Sequence, residues 1–297
     1  MRLEDLKKIT VLGAGIMGAG IVEVCAREGY KVYMTDLTNE LVTKGLEKIK
    51  LSLSRALDKG KITKEKLEAT FSSIKTTTDM REAVKDTDLV VEATPEDLEL
   101  KKRIFKQLDG LCPAQTILAS NTSGIMVTDI ASVTNRPDKV IGMHWFNPPP
   151  VMKLIEIVRG ALTSDETYGI VMDLSKKLGK TPIPANDGPG FFTTRYIASW
   201  IIEAVRLFEQ GVANIKEIDA MSKMAFNWPM GPFELSDFIG LDTLLHISSY
   251  LFAELGDPHY APPLTLKKLV KSGFLGNPRV KVGSKGGFYE YYGIKRE

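Results

Sequence analysis

Cysteine and histidine are scarce in this 297-residue chain, with two of the first and three of the second. Cys25 and Cys112 form neither a metal-ligand spacing nor a disulfide framework, and three histidines are a poor supply of ligands for a zinc dehydrogenase site. No metal is expected. An excess of one charge is also missing. The 39 basic and 37 acidic residues are well mixed and leave a net charge of +2, which gives no footprint for nucleic acid or a membrane surface. A local basic pocket for a phosphorylated ligand remains compatible with that balance. The longest apolar stretch, Ile9 to Ala26, is broken by four glycines and carries Glu23, so it is not read as a membrane span. Met1 to Lys8 is charged and lacks the apolar run of a signal peptide. A cytoplasmic location, or an organelle matrix, is the default expectation.

What is present is the composition of a globular protein, with 43% hydrophobic and 26% charged residues. The length suffices for one large domain or two ordinary ones. Short β-branched runs alternate with amphipathic stretches through roughly the first 185 residues. The strand candidates are 9–13, 31–36, 88–93, 116–120, 139–144, 153–158 and 181–185, with helical stretches at 17–28, 39–59 and 99–111. That alternation predicts an α/β domain with a mostly parallel sheet. Asn186-Asp187-Gly188-Pro189-Gly190 is a cluster of turn residues and a natural boundary. Beyond it the period turns helical, over 191–210, 233–255 and 264–271, with Asn214 and Glu217 spaced as a capping box. Two domains are therefore expected: 1–188, and a smaller all-α domain over 189–297. A helical domain this small and this rich in large apolar residues predicts a homodimer.

Gly13-Ala14-Gly15-Ile16-Met17-Gly18 follows the strand run Ile9-Thr10-Val11-Leu12 and opens a helical pattern. Gly13 permits a tight turn, Gly15 lets backbone approach a pyrophosphate, and Gly18 allows close helix–strand packing. Ile16 and Met17 begin the helix whose N-terminal N–H groups face an anion. A second strand ends in Asp36, 18 residues after Gly18, where a carboxylate binds ribose hydroxyls and repels a 2′-phosphate. With no Arg or Lys in the next three residues, the motif predicts a Rossmann-type domain that binds NAD rather than NADP. FAD is the other ligand of this fingerprint, but no further feature suggests a flavin domain. The competing reading makes the glycines an ordinary turn and Asp36 the cap of the next helix.

The densest unusual segment is Gly142-Met143-His144-Trp145-Phe146-Asn147-Pro148-Pro149-Pro150, followed by Val151-Met152-Lys153-Leu154-Ile155-Glu156. His144 and Glu156 each lie six residues from Pro150, so a reversal centred there sets them opposite one another. Such a pair suits hydride chemistry on an alcohol: the imidazole takes the hydroxyl proton and the carboxylate fixes its tautomer. The bland alternative is a core histidine and a Glu156 paired with Lys153 or Arg159. Ser120-Asn121-Thr122-Ser123 ends a parallel strand, where open α/β sheets bind ligands. It reads equally well as the N-cap of a helix over 126–132. His246 and His259 are assigned no role.

Taken in order, these motifs resemble the L-3-hydroxyacyl-CoA dehydrogenase family. The resemblance also covers Val90-Val91-Glu92-Ala93, Asp187-Gly188-Pro189-Gly190-Phe191, Pro229-Met230-Gly231-Pro232-Phe233-Glu234-Leu235, Gly240-Leu241-Asp242 and Gly286-Gly287-Phe288-Tyr289. It implies NAD-dependent oxidation of a 3-hydroxyacyl-CoA thioester, with His144 as catalytic base and Glu156 as its orienting carboxylate. Ser123 and Asn147 match polar residues that position substrate and nicotinamide, Asn121 stands beside them, and Glu96 and Lys101 match cofactor contacts. Ser52 and Lys59 resemble CoA contacts, although lysines on such a helix are by default a solvated face. The C-terminal helices are implied to form the dimer interface and to help close over the ester. Thr194 stands where the family carries a substrate-site amide, which bears on acyl-chain preference more than on the reaction. Lys281 and Lys285 both align with a family lysine that reaches the cofactor, and neither is assigned that role. Rival expectations are a dehydrogenase of a non-CoA β-hydroxy acid, of the gulonate type, and a non-catalytic NAD-binding protein.

Overall fold

In the computed structural model, which describes residues 2–279 and 281–296, the chain divides into two compact units, Met1–Gly188 and Pro189–Glu297. The first is built on one eight-stranded sheet: β1 (Lys8–Leu12), β2 (Lys31–Thr35), β3 (Ile74–Thr77), β4 (Leu89–Glu92), β5 (Ile117–Ser120), β6 (Val140–Trp145), β7 (Leu154–Arg159) and β8 (Thr181–Asn186). Their spatial order is β3-β2-β1-β4-β5-β6-β7-β8. Neighbours pair in parallel except β6 with β7. The mostly parallel sheet predicted from strand–helix alternation is therefore present.

Every residue of β1, β4, β5 and β6 is buried, as a sheet covered on both faces requires. The edges differ. β8 carries Pro182 and Pro184, which an edge strand tolerates because it needs no outward donor. β3, Ile-Lys-Thr-Thr, is only partly buried, and it escaped the sequence reading because it has no apolar run. Helices 64–72 and 80–84 were missed with it. The order reverses direction between β1 and β4, which opens a crevice at the carboxyl ends of these strands. The glycine-rich turn leaves β1 at that crevice.

The second unit is helical, with Thr193–Glu209, Ile215–Phe226, Pro232–Ile239, Leu241–Leu255 and Leu264–Lys271 as its longer helices. They close over Ile201, Ile202, Phe233, Leu244, Leu251 and Phe288. Asn214 and Glu217 form the expected capping box: each side chain accepts from the other's backbone N–H, at 3.0 and 2.9 Å. The single helix predicted over 233–255 is two helices. Gly240 stands between them at φ +104°, a left-handed conformation that a helix interior does not admit. Leu241 N–H turns to the Leu275 carbonyl at 2.9 Å. No helix among the described residues is long and apolar enough to cross a membrane.

Candidate active site

The turn after β1 has the geometry that its glycines predict. Gly13 adopts φ +101°, and a Cβ there would meet the Ala93 carbonyl oxygen at 2.5 Å. A Cβ on Gly18 would overlap the Gly13 carbonyl, so only glycine brings the helix this close to the strand. A Cβ on Gly15 meets nothing within 4 Å, leaving open space beside the N-terminus of helix Ile16–Arg27. Ile16 is exposed there, and Met17 half-buried. Asp36, just past β2, accepts hydrogen bonds from Ala14 N–H and Leu37 N–H, both at 2.7 Å. The next helix is capped by Thr38, whose hydroxyl accepts from Leu41 N–H. Asp36 is thus tied to the glycine-rich turn and does not cap the helix, and the residues present fit a dinucleotide.

His144 and Glu156 face one another in the antiparallel register of β6 with β7. The reversal around Pro150 brings His144 Nδ1 within 2.7 Å of Glu156 Oε2. Both side chains are buried, so Glu156 is not a surface partner of Lys153 or Arg159. The turn that joins the strands is held from outside: Lys180 Nζ donates to the carbonyls of Pro149 and Met152, at 2.5 and 2.8 Å. Burial lowers the Lys180 pKa.

A second buried acid lies at the end of β4. Glu92 is wholly buried and bound by Lys101 Nζ at 2.8 and 3.0 Å, Ser120 Oγ at 2.6 Å, and Thr94 N–H at 2.7 Å. Sequence reading missed this network, although an acid inside the apolar run Val90–Ala93 was its signal. The Lys101 ammonium is enclosed, with Glu96 at 3.5 Å. Glu96 Oε1 accepts from Thr122 Oγ1 at 2.6 Å and from Ser123 N–H at 2.8 Å. Asn121 Oδ1 accepts from Trp145 N–H at 2.9 Å, which joins the segment after β5 to the end of β6. The segment 120–123 is not an N-cap. Helix Val127–Ala131 is capped instead by Asp187, whose carboxylate accepts from Val127 and Thr128 N–H at 2.9 and 2.8 Å.

Asn147 is exposed just beyond β6, and Ser123 is half-buried. Ser52 is half-buried and Lys59 exposed on a groove of about 490 Å³ that Arg27, Arg55 and Pro149 also line. Thr194 lies in the first turn of helix Thr193–Glu209 of the second unit. There Lys281 pairs with Asp242 at 2.8 Å and Lys285 Nζ donates to the Ser272 carbonyl at 3.0 Å. Among the described residues no group of three or more His, Cys, Asp or Glu is arranged to hold a metal.

A doubly wound sheet, a glycine-rich turn and an acid past β2 define a dinucleotide-binding protein, and two strands of the same sheet hold a buried His–carboxylate pair. The chain is a member of the 3-hydroxyacyl-CoA dehydrogenase family: residues 8–188 match its NAD binding domain and residues 190–291 its C-terminal domain. A probable 3-hydroxybutyryl-CoA dehydrogenase of Bacillus subtilis is 45% identical over 97% of this chain and 98% of its own. The mitochondrial hydroxyacyl-coenzyme A dehydrogenase of Homo sapiens is 41% identical, over 96% of this chain and 91% of the relative. The crystal structure of (S)-3-hydroxybutyryl-CoA dehydrogenase from Ralstonia eutropha superposes with a TM-score of 0.89 at 40% identity, covering 95% and 99% of the two chains.

Proposed function

We propose that this chain is an NAD-dependent oxidoreductase that converts (S)-3-hydroxyacyl-CoA to 3-oxoacyl-CoA, reversibly, with His144 as general base and acid. The observation that carries the reading is the buried His144–Glu156 pair at 2.7 Å in a chain whose two halves match the two domains of one dehydrogenase family. NAD, when bound, supplies the hydride acceptor. Glu156 accepts a hydrogen bond from Nδ1–H, which makes Nε2 the basic nitrogen of the ring. His144 then takes the substrate hydroxyl proton as the carbon–hydrogen bond breaks, and Glu156 stabilises the imidazolium that results. In the reverse direction the same imidazolium returns the proton to the alkoxide oxygen.

Around that pair the remaining roles follow. Gly13, Gly15, Ile16, Met17 and Gly18 receive the pyrophosphate, and Asp36 takes the ribose hydroxyls and excludes a 2′-phosphate. Glu96, Lys101, Asn121, Ser123 and Asn147 hold the nicotinamide end, with Lys101 acting through Glu96 because its ammonium is enclosed. Ser123 and Asn147 also orient the substrate. Ser52 and Lys59 bind CoA in the groove, where Arg27 and Arg55 add positive charge for its phosphates. Thr194 contacts the acyl chain.

The protein acts as a homodimer through its second unit. Phe192, Tyr196, Met221, Met224 and Phe226 are each more than half exposed there, and Phe192, Tyr196, Trp228 and Trp200 form a run of ring contacts. Exposed apolar surface of this kind marks an association face. A reducing compartment, the cytoplasm, suits Cys25 and Cys112, which are buried and whose thiols burial pushes up to about 12. The test is consumption of NADH with acetoacetyl-CoA, repeated with NADPH and with free acetoacetate. Turnover that needs both NADH and the thioester is expected. Turnover with free acetoacetate as fast as with the thioester overturns the CoA assignment in favour of a non-CoA β-hydroxy acid.

A further inference from the structure

Glu23 is an acid in a place built for anions. It sits on helix Ile16–Arg27 and lines the groove that Ser52, Lys59, Arg27 and Arg55 also line, yet its residue exposure is only 1%. Its Oε1 has no hydrogen-bond partner. What Oε1 does have is the Arg27 guanidinium, with Nη1 at 3.7 Å, too far for a hydrogen bond and close enough for strong attraction. Ser52 stabilises the charged form from the facing helix. The turn over the groove brings Pro149 against Gly20, where a Cβ would meet the proline ring at 2.7 Å, and it contributes no charge. Lys180, which holds that turn, adds positive field from a distance. Lys48, Arg55, Lys59 and Lys61 complete the charged groups along the groove.

Arg27 therefore has two claimants. Its side chain is 28% exposed and lines the groove, so it is open to a ligand there. Whenever Glu23 is ionised, part of the Arg27 charge is already neutralised. We propose that Glu23 is a charge gate on the groove: its carboxylate competes with the phosphates of CoA for Arg27, so that CoA is held more weakly when Glu23 is ionised. This makes Glu23 a specificity-determining residue, and it rests on the assignment of CoA to the groove. Burial raises the Glu23 pKa against the pull of Ser52, Arg27 and Lys180, which moves the gate toward the working pH. The sign is fixed: affinity for the polyanion falls as pH rises through the Glu23 titration.

The experiment is calorimetric titration of the whole chain with free CoA, for the unaltered protein and Glu23→Gln, from about pH 5 to about pH 8. The ratio of the two Kd values at each pH cancels the titration of the ligand's own phosphate. The expected ratio grows as pH rises and reaches roughly fivefold tighter binding by Glu23→Gln at the alkaline end, the size of one partly screened charge. In an Arg27→Gln background the Glu23 substitution is expected to change the Kd by less than about twofold. A ratio that stays at one while both proteins bind CoA overturns the gate and leaves the groove assignment standing. Failure of both proteins to bind CoA overturns both, and loss of binding in Glu23→Gln alone overturns the gate. If Glu23→Gln does not fold, Arg27→Gln carries the test alone. The Kd ratio of Arg27→Gln to the unaltered protein must then shrink as pH rises, and a ratio that does not change with pH overturns the gate.

Discussion

Two buried carboxylates of the sheet unit have opposite tasks. Glu92 is bound on every side, by Lys101, Ser120 and Thr94. Glu156 is bound to His144, an imidazole that can take up or release a proton. The first pair is a post that fixes the ends of β4 and β5 against the helix Leu98–Leu111. In the proposed reaction the second is a proton carrier set into the β6–β7 hairpin. Burial and a short ion pair are common to both, so neither marks catalysis by itself. The partner's ability to change charge does.

That contrast can be broken from either side. The largest effect is expected from His144→Ala, which should lower turnover by about 10³-fold with NADH affinity little changed, measured by steady-state kinetics beside fluorescence titration with NADH. Lys101→Met should do the reverse in kind, costing about 3–5 kcal/mol of unfolding free energy because Glu92 is left buried without its cation. Urea unfolding followed by circular dichroism reads that loss. If Lys101→Met keeps full stability, the post is misassigned.

The helical unit sharpens the comparison with weaker pairs. Asp237 is fully buried and accepts from Arg296 Nη2 at 2.5 Å, while Arg296 also binds the more exposed Glu290. Arg296→Ala should therefore cost about 2–3 kcal/mol in urea unfolding near neutral pH, less than Lys101→Met because this cation is partly exposed. The Arg296 hydrogen bonds hold the Glu290 carboxyl down to about 2. Its share of stability is thus present above the ordinary glutamate range and is lost as pH falls toward about 2, a loss absent in the variant.

Asp219 gives the smallest effect and the opposite sign. Burial pushes its carboxyl up to about 6, against the hydrogen bonds it accepts from Tyr289 Oη and from Phe233 and Glu234 N–H. Its contribution is full below the ordinary aspartate range and declines as pH rises to about 6. Relative to Asp219→Asn, the unaltered protein should lose about 2 kcal/mol between about pH 4 and about pH 6. Equal slopes for the two proteins would remove the raised titration from the account.

Much of this was legible in the residues, and the limits have a physical pattern. The β1 turn was readable because its three glycines and Asp36 act within 24 residues of one another. The facing of His144 and Glu156 followed from their equal distance to Pro150, and the structure places them in register. What escaped depends on contacts between distant segments. Ser120 meets Glu92 across 28 residues and Asp187 caps Val127 across 60, and no local pattern carries either. The strand at Ile74 is held at an edge by pairing with β2, not by its own hydrophobicity. Gly240 looked like one more glycine inside a helical period until its positive φ broke the helix. Glu23 served in the sequence only to argue against a membrane span, since its place on a basic groove is set by the packing of two helices and a proline turn.

The central claim is that His144 and Glu156 handle the proton as one unit. Its most direct test is the single-turnover reduction of acetoacetyl-CoA by bound NADH in Glu156→Gln, with both ligands saturating. An amide cannot stabilise the imidazolium as a carboxylate does, so the hydride step should slow by about a hundredfold with NADH binding unchanged. A rate constant equal to that of the unaltered protein would contradict the account and leave His144 acting without Glu156.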